Sequence, residues 1–283
     1  MKMQAGQPSR TALGAARHRA VHQILEGGRV FSDPLAVRIL GEDAEAVARE
    51  VASDAARRRM RLFIAMRTRF CEDTLRAAVE TGVKQLAVLG AGLDTYAYRG
   101  SERERLRIFE VDHPATQTWK RERLAEAAIP VPDNLTYAPV DFERQTLAEG
   151  LAASGFDPAQ PAFFTWLGVV PYLTLEAIET TLGFIAGLPG GAHVVFDYGN
   201  PPDSVYVEAR ALHHELAARV ASVGEAFRTF FETDELHTRL RMLGFTTIDD
   251  LGPREFVARY FPERVQAMPG RGGHIVHAAA MHG

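Results

Sequence analysis

In "KQLAVLGAGLDTYAYR" (84–99) an apolar run ends at Gly90 and Gly92, and the acid Asp94 follows at once. Glycines at the end of a strand leave main-chain N–H and C=O groups open to a ligand that a Cβ would block. A dinucleotide fingerprint would place a third glycine at position 95, where this chain has Thr95, and a carboxylate at Asp94 repels phosphate. The turn therefore suits a ligand without phosphates; its competing reading is a plain strand-to-helix turn. "IFEVDHP" ends a second apolar run with Asp112, 20 residues beyond Gly92, the interval at which an acid reaches a ribose diol in nucleotide-binding βαβ units. The alternative is a helix N-cap ahead of Pro114. Glu110 shares Asp112's strand face. A third acid, Asp141 in "PVDFER", ends another run beside Phe142 and has the same N-cap alternative. Asp112 and Asp141 together suit a ribose and an adenine amino group, and an adenosine ligand without phosphates points to S-adenosylmethionine.

These residues need a scaffold that brings strand ends to one edge. After Gly82, β-branched and aromatic runs alternate with helical stretches, the pattern of a parallel sheet: "QLAVLG", "RIFEVD", "LTYAPV", "AFFTWLG" and "AHVVFDYG". Before Gly82 the chain reads as a helical layer, with Asp33-Pro34 opening one helix and Gly41 and Gly82 as stops. Residues 201–244 read as helical, and "FTTIDDL" and "HIVHAAAM" as two closing strands. The expectation is one α/β domain: a helical cap over 1–82, a cofactor-binding core over 83–200, a helical lid over 201–244 and closing strands over 245–283.

The 283 residues are 46% hydrophobic and 24% charged, which suffices for a soluble core. A net charge of -4 argues against nucleic acid as a partner, because duplex binding needs a positive field. One cysteine, Cys71, allows no internal disulfide. No apolar h-region opens the chain and no window is long enough to span a bilayer, so the expected location is cytoplasmic and away from membranes. Oligomeric state is not legible.

"VLGAGLDTYAYR", "FEVDHPATQTWKR", "PVDFER" and "WLGVVPYLT", in that order after "SDPLA" and "RTRFCED", resemble the leucine carboxyl methyltransferase family. The resemblance covers roughly residues 10–200. It implies a Rossmann-like class I methyltransferase fold, an α/β sheet of seven mostly parallel strands with the last antiparallel, behind an N-terminal helical cap. It further implies that Arg67 holds the cofactor's carboxylate and that Gly90 contacts its amino-acid part. Asp112 then falls on the ribose, Asp141 and the Phe142 backbone on the adenine, and Arg19 near a basic position that also touches the cofactor. Where many relatives carry a glutamate, this chain has Leu167. For Arg67 there is a physical rationale as well: a guanidinium binds carboxylate bidentately. The nearby Arg57, Arg58, Arg59 and Arg61 read as a solvated helix face.

The expected activity is S-adenosylmethionine-dependent O-methylation of a carboxylate, on a small-molecule acid or a protein C-terminus. A carboxylate is already ionised at neutral pH, so no general base is required. The alternatives are a hydroxyl acceptor, an NAD-binding oxidoreductase and a binding protein without turnover. Trp166 and Tyr172 would form an apolar wall where the methyl group is delivered, Trp166 being equally well a core residue. Tyr172, Tyr198, His213 and His214 are the substrate-pocket candidates. No histidine is spaced with a second ligand as a metal site requires, so no metal is expected.

Overall fold

The computed structural model describes residues 10–141, 144–204, 227–262 and 271–281. Seven strands, β1 (Gln85–Leu89), β2 (Arg107–Asp112), β3 (Leu135–Pro139), β4 (Ala162–Trp166), β5 (Ala192–Gly199), β6 (Thr247–Leu251) and β7 (Gly273–Ala280), form one sheet in the order β3-β2-β1-β4-β5-β7-β6. The pairs β1–β2, β2–β3 and β4–β5 are parallel, and β7 runs antiparallel to both β5 and β6. The last strand is thus antiparallel, as expected. The chain divides into two compact units, residues 3–157 and 158–283.

In the first unit four helices precede the sheet: α1 (Arg10–Leu25), α2 (Ala36–Leu40), α3 (Ala44–Val51) and α4 (Ala55–Glu80). Their starts and stops follow local chemistry. Asp43 caps α3 by accepting from Ala46 N, and Asp54 caps α4 by accepting from Arg57 N, each at 2.9 Å. Gly41 ends α2 in the left-handed region at φ +67°. Asp33-Pro34 does not itself open a helix; the Asp33 side chain accepts from Leu35 N and its carbonyl from Ala36 N, so α2 starts two residues later than expected. β1 buries all five residues, as a central parallel strand must. After β1 and β2 come α5 (Tyr96–Arg99) and α6 (Pro114–Glu126), and after β3 α7 (Leu147–Ala153), which opens with a Thr146–Glu149 capping box. Ala16, Ala20, Ile39, Leu40, Leu93 and Leu124 bury together, tying α1, α2 and α6 to the turn after β1.

In the second unit α8 (Leu175–Ala186), capped by Thr174, lies between β4 and β5 in the chain, and α9 (Thr233–Leu243) and α10 (Pro253–Tyr260) flank β6. The expectation of helix over 201–244 holds in part: Pro202–Ser204 make one 3₁₀ turn, 227–232 are not helical, and α9 follows. Here β5 and β7 supply a dense core of Val194, Val195, Phe196, Ile275 and Val276, all fully buried. Residues 205–226, with His213 and His214, lie outside the described residues. Among the described residues no helix is long and apolar enough to cross a membrane, and no group of three or more His, Cys, Asp or Glu could hold a metal ion.

Candidate cofactor-binding site

The first residue beyond the fully buried β1, Gly90, is exposed. Gly90 and Gly92 both sit at positive φ, +66° and +44°, where L side chains are strained. Gly90 N donates to Val111 O at 2.8 Å and so extends the β1–β2 ladder by one residue. A Cβ on Gly92 would lie 2.9 Å from Ala12 Cβ, so the close approach at that glycine is made by the protein's own first helix. Gly92 N instead donates to Asp112 Oδ2 at 2.7 Å, and His113 N donates to Asp112 Oδ1 at 2.7 Å. Burial raises the Asp112 carboxyl above the ordinary aspartate range, while the two N–H donors and the neighbouring Lys120 pull it back.

Asp112 does not cap α6. His113 does, its Nδ1 accepting from Ala115 N at 3.2 Å. Nor does Asp141 cap a helix: α7 is capped by Thr146, and Asp141 lies half-buried beyond β3 with Arg144 Nε 3.5 Å from its carboxylate. His113 thus takes the cap that the sequence left open for Asp112. Phe142 lies outside the described residues.

Arg19, 8% exposed on α1, donates to Leu93 O and reaches Asp94 Oδ2 at 3.3 Å. It therefore clamps the turn that the glycines open. Asp94 also accepts from Tyr96 N at 2.8 Å; burial works to raise its carboxyl, but Arg19, Lys120 and Arg99 outweigh it and hold it below the usual range. Thr95, at the position of the absent third glycine, is fully buried and donates to Asp33 Oδ2 at 2.6 Å. Arg99 Nε reaches Asp33 Oδ1 at 3.2 Å, its two Nη atoms grip Glu72 at 2.6 and 3.1 Å, and its guanidinium covers the Phe31 ring at 4.7 Å. The segments "SDPLA", "RTRFCED" and "LDTYAYR" thus meet in one buried network, which no single segment announces.

Arg67 is 8% exposed on α4, with its guanidinium 5.9 Å from the Phe63 ring centre. The neighbouring arginines are not uniformly solvated. Arg58 and Arg59 are exposed, but Arg61 is 1% exposed and bound bidentately by Glu26 at 2.8 and 3.0 Å, which corrects that part of the expectation. Burial is possible because Glu26, just past the end of α1, brings a carboxylate to the face of α4 that carries Arg61. Glu110 sits one strand pleat before Asp112, buried, with Lys120 Nζ 2.8 Å away.

The substrate-side candidates belong to the second unit. Trp166 is 3% exposed and packs edge-on against Phe196 at 6.2 Å, as a core residue does. Leu167 is half-buried, and Gly168 N donates to Asp197 Oδ1 on β5 at 2.5 Å. Tyr172 is half-buried and tilts against Phe227 at 5.3 Å. Tyr198 is 2% exposed and donates to Asp250 Oδ2 at 2.6 Å, and His274 stacks on its ring at 4.8 Å. Burial, then Asp250, raises the Tyr198 hydroxyl above the ordinary tyrosine range. Sequence reading passed over Asp250, which also meets His237 Nε2 and His274 Nδ1, each at 2.9 Å. The β5–β7 and β6–β7 pairings bring Tyr198, His274 and Asp250 together, and α9 adds His237.

A family model for leucine carboxyl methyltransferase matches residues 12–186, a stretch that includes Arg19, Arg67, Gly90, Asp112 and Asp141. The chain belongs to the leucine carboxyl methyltransferase family. It is 32% identical over 218 residues to YktD of Bacillus subtilis, named by inference a S-adenosyl-L-methionine-dependent methyltransferase, covering 75% of this chain and 70% of that protein. A similarly named protein of Frankia alni is 37% identical over 185 residues, 63% of this chain and 64% of the other. A solved structure from Thermobifida fusca, titled by inference a methyltransferase, superposes with a TM-score of 0.59 at 16% identity over 99% of this chain and 97% of that one, a likeness of fold. As a member of this family the chain is a S-adenosylmethionine-dependent methyltransferase.

The residues present fit that cofactor chemically. A leucine carboxyl methyltransferase needs an acceptor for ribose hydroxyls, and Asp112, with one N–H on each oxygen, keeps lone pairs available on both. It needs tolerance for a cation rather than a phosphate, and Asp94 and Asp112 put two carboxylates beside the glycine turn.

Proposed function

We propose that this methyltransferase esterifies a carboxylate of a small-molecule acid, with the cofactor held by Arg67 at its carboxylate, Gly90 at its amino-acid part, Asp112 at its ribose and Asp141 with the Phe142 backbone at its adenine; Gly92, packed against Ala12 and donating to Asp112, shapes the turn instead of touching the ligand. S-adenosylmethionine supplies an electrophilic methyl group on a sulfonium. The chain's part is to hold the acceptor oxygen in line behind that methyl group and to keep water out. An acceptor carboxylate with a pKa near about 4 is already anionic at neutral pH and needs no proton removed. Arg19 contributes by fixing the turn at Leu93 and Asp94.

The observation that carries the reading is Asp112: an aspartate relieved of capping by His113 and pre-set by two N–H donors at the carboxyl end of β2. In open α/β sheets this edge is where ligands bind. A hydroxyl acceptor would instead call for a base, and the His237–Asp250 pair, 2.9 Å apart with His237 23% exposed, is one grouping of that kind.

Calorimetric titration of the wild type, Asp112→Ala and Arg67→Ala with S-adenosylmethionine and with NAD tests the cofactor assignment. Binding of the first ligand only, weakened at least about tenfold (~1.4 kcal/mol) by each substitution, is expected. NAD binding, or affinities untouched by both substitutions, would overturn it. Turnover on a panel of carboxylic acids and matched alcohols then decides the acceptor.

A further inference from the structure

Arg99 of α5, its side chain 9% exposed, joins three segments of the first unit. Its Nη atoms hold Glu72 of α4 at 2.6 and 3.1 Å, and its Nε donates to Thr95 Oγ1 at 2.9 Å in the turn after β1. The Thr95 hydroxyl donates in turn to Asp33 Oδ2 at 2.6 Å, so it is used in both directions. Asp33 N donates to Gln23 Oε1 on α1 at 3.0 Å, and Gln23 Nε2 donates back along that helix to Arg19 O at 3.3 Å. A chain of direct hydrogen bonds thus runs from α4 through Arg99 and the turn to α1.

The elements along that chain carry the groups assigned above to the cofactor's amino-acid tail. Arg67 lies five residues before Glu72 on α4, about 7.5 Å along the helix. Gly90 lies five residues before Thr95, and Arg19 holds the turn between them through Leu93 O and Asp94. Asp112 and Asp141, assigned to the nucleoside, stand instead at the end of β2 and just past β3. A buried ion pair is weak evidence for stability, and its best-attested use is to fix register. Register matters here because a tail gripped at two points is held well only when the two grips keep their spacing. Thr95 fits this duty: at the position where a dinucleotide turn has glycine, its hydroxyl ties the turn to the helical layer.

We propose that Arg99 is a positioning residue for the amino-acid tail of the cofactor: through Glu72 and Thr95 it fixes the spacing between Arg67 and Gly90. This rests on the assignment of those two residues to the tail given above. The N–H groups of Arg99 are aimed at Glu72, Thr95 and Asp33, so it acts through these residues and not on the ligand.

Calorimetric titration with S-adenosylhomocysteine and with methylthioadenosine, which keeps the nucleoside and the sulfur but lacks the tail, separates positioning from stability. The ratio of the two affinities measures what the tail adds. Arg99→Lys keeps the cation and loses the fork, while Glu72→Gln keeps the shape and loses the charge. Each is expected to lose about tenfold in affinity for S-adenosylhomocysteine and less than about twofold for methylthioadenosine, so that the ratio falls. A ratio unchanged from the wild type in either folded variant, whether both affinities drop together or neither does, would mean a merely structural network and overturn the inference. Should Arg99→Lys fail to fold by circular dichroism, Glu72→Gln decides alone by the same criterion. Arg67→Ala in the same series separates the two claims. If it leaves the ratio as in the wild type, the tail assignment fails and this inference with it. If it lowers the ratio while the Arg99 and Glu72 variants do not, only this inference fails.

Discussion

Asp112 leaves the capping of α6 to its neighbour. The spacing from Gly92 marked Asp112 as a ribose acceptor and the following Pro114 offered the rival reading of a cap; the imidazole of His113, by accepting from Ala115 N, takes the cap. Asp33 was legible only as a helix opener, yet it lies fully buried between Thr95 and Arg99, 62 residues from the first of them. Asp33→Asn keeps the shape and removes the charge from a buried pair, and should destabilise the fold by about 2–3 kcal/mol. Urea unfolding measures this, and an unchanged midpoint would show that the network adds nothing to stability.

At the scale of elements, register decides which side chains meet. Parallel pairing sets Glu110 opposite Tyr137 and leaves Asp112 at the end of β2 opposite Pro139, so the fully buried acid and the half-buried one are one pleat apart. The same logic aligns three rings across β4, β5 and β7. His193 Nδ1 lies 3.0 Å from His277 Nε2, and both rings stack with Phe163. Burial, then His193, lowers His277 to about 4, and burial lowers His193. A histidine that stays neutral when folded but protonates near 6.5 when unfolded contributes stability above pH 6.5 that is lost as pH falls toward about 4. The loss from His277 over that window should be about 2 kcal/mol, allowing for its partial exposure. His277→Phe should therefore melt with a weaker pH dependence than the wild type over that interval; equal slopes would refute the assignment.

For the whole molecule the decisive property is the acceptor. Methyl transfer to a carboxylate requires no proton removal, so with cofactor saturating, turnover should stay flat from about pH 6 to 8.5, well above a carboxylic acid's pKa. A rate that climbs with pH across that range would favour a hydroxyl acceptor and a base such as His237. Composition bears on this scale too, since a net charge of -4 suits an enzyme that handles a cationic cofactor and gives no footprint for a polyanion.

Periodicity, glycine stops and the order of motifs determined the strands, the helical layer over residues 10–80 and the family, because these are local signals carried by neighbours in the chain. Tertiary structure alone decided which glycine stays open and that Arg61 and Lys120 are buried charges. It also decided that Tyr198 serves an internal network around Asp250. The physical reason is that burial and hydrogen-bond satisfaction depend on partners from distant segments, and a carboxylate or a guanidinium reads the same in sequence whether water or a neighbouring helix solvates it.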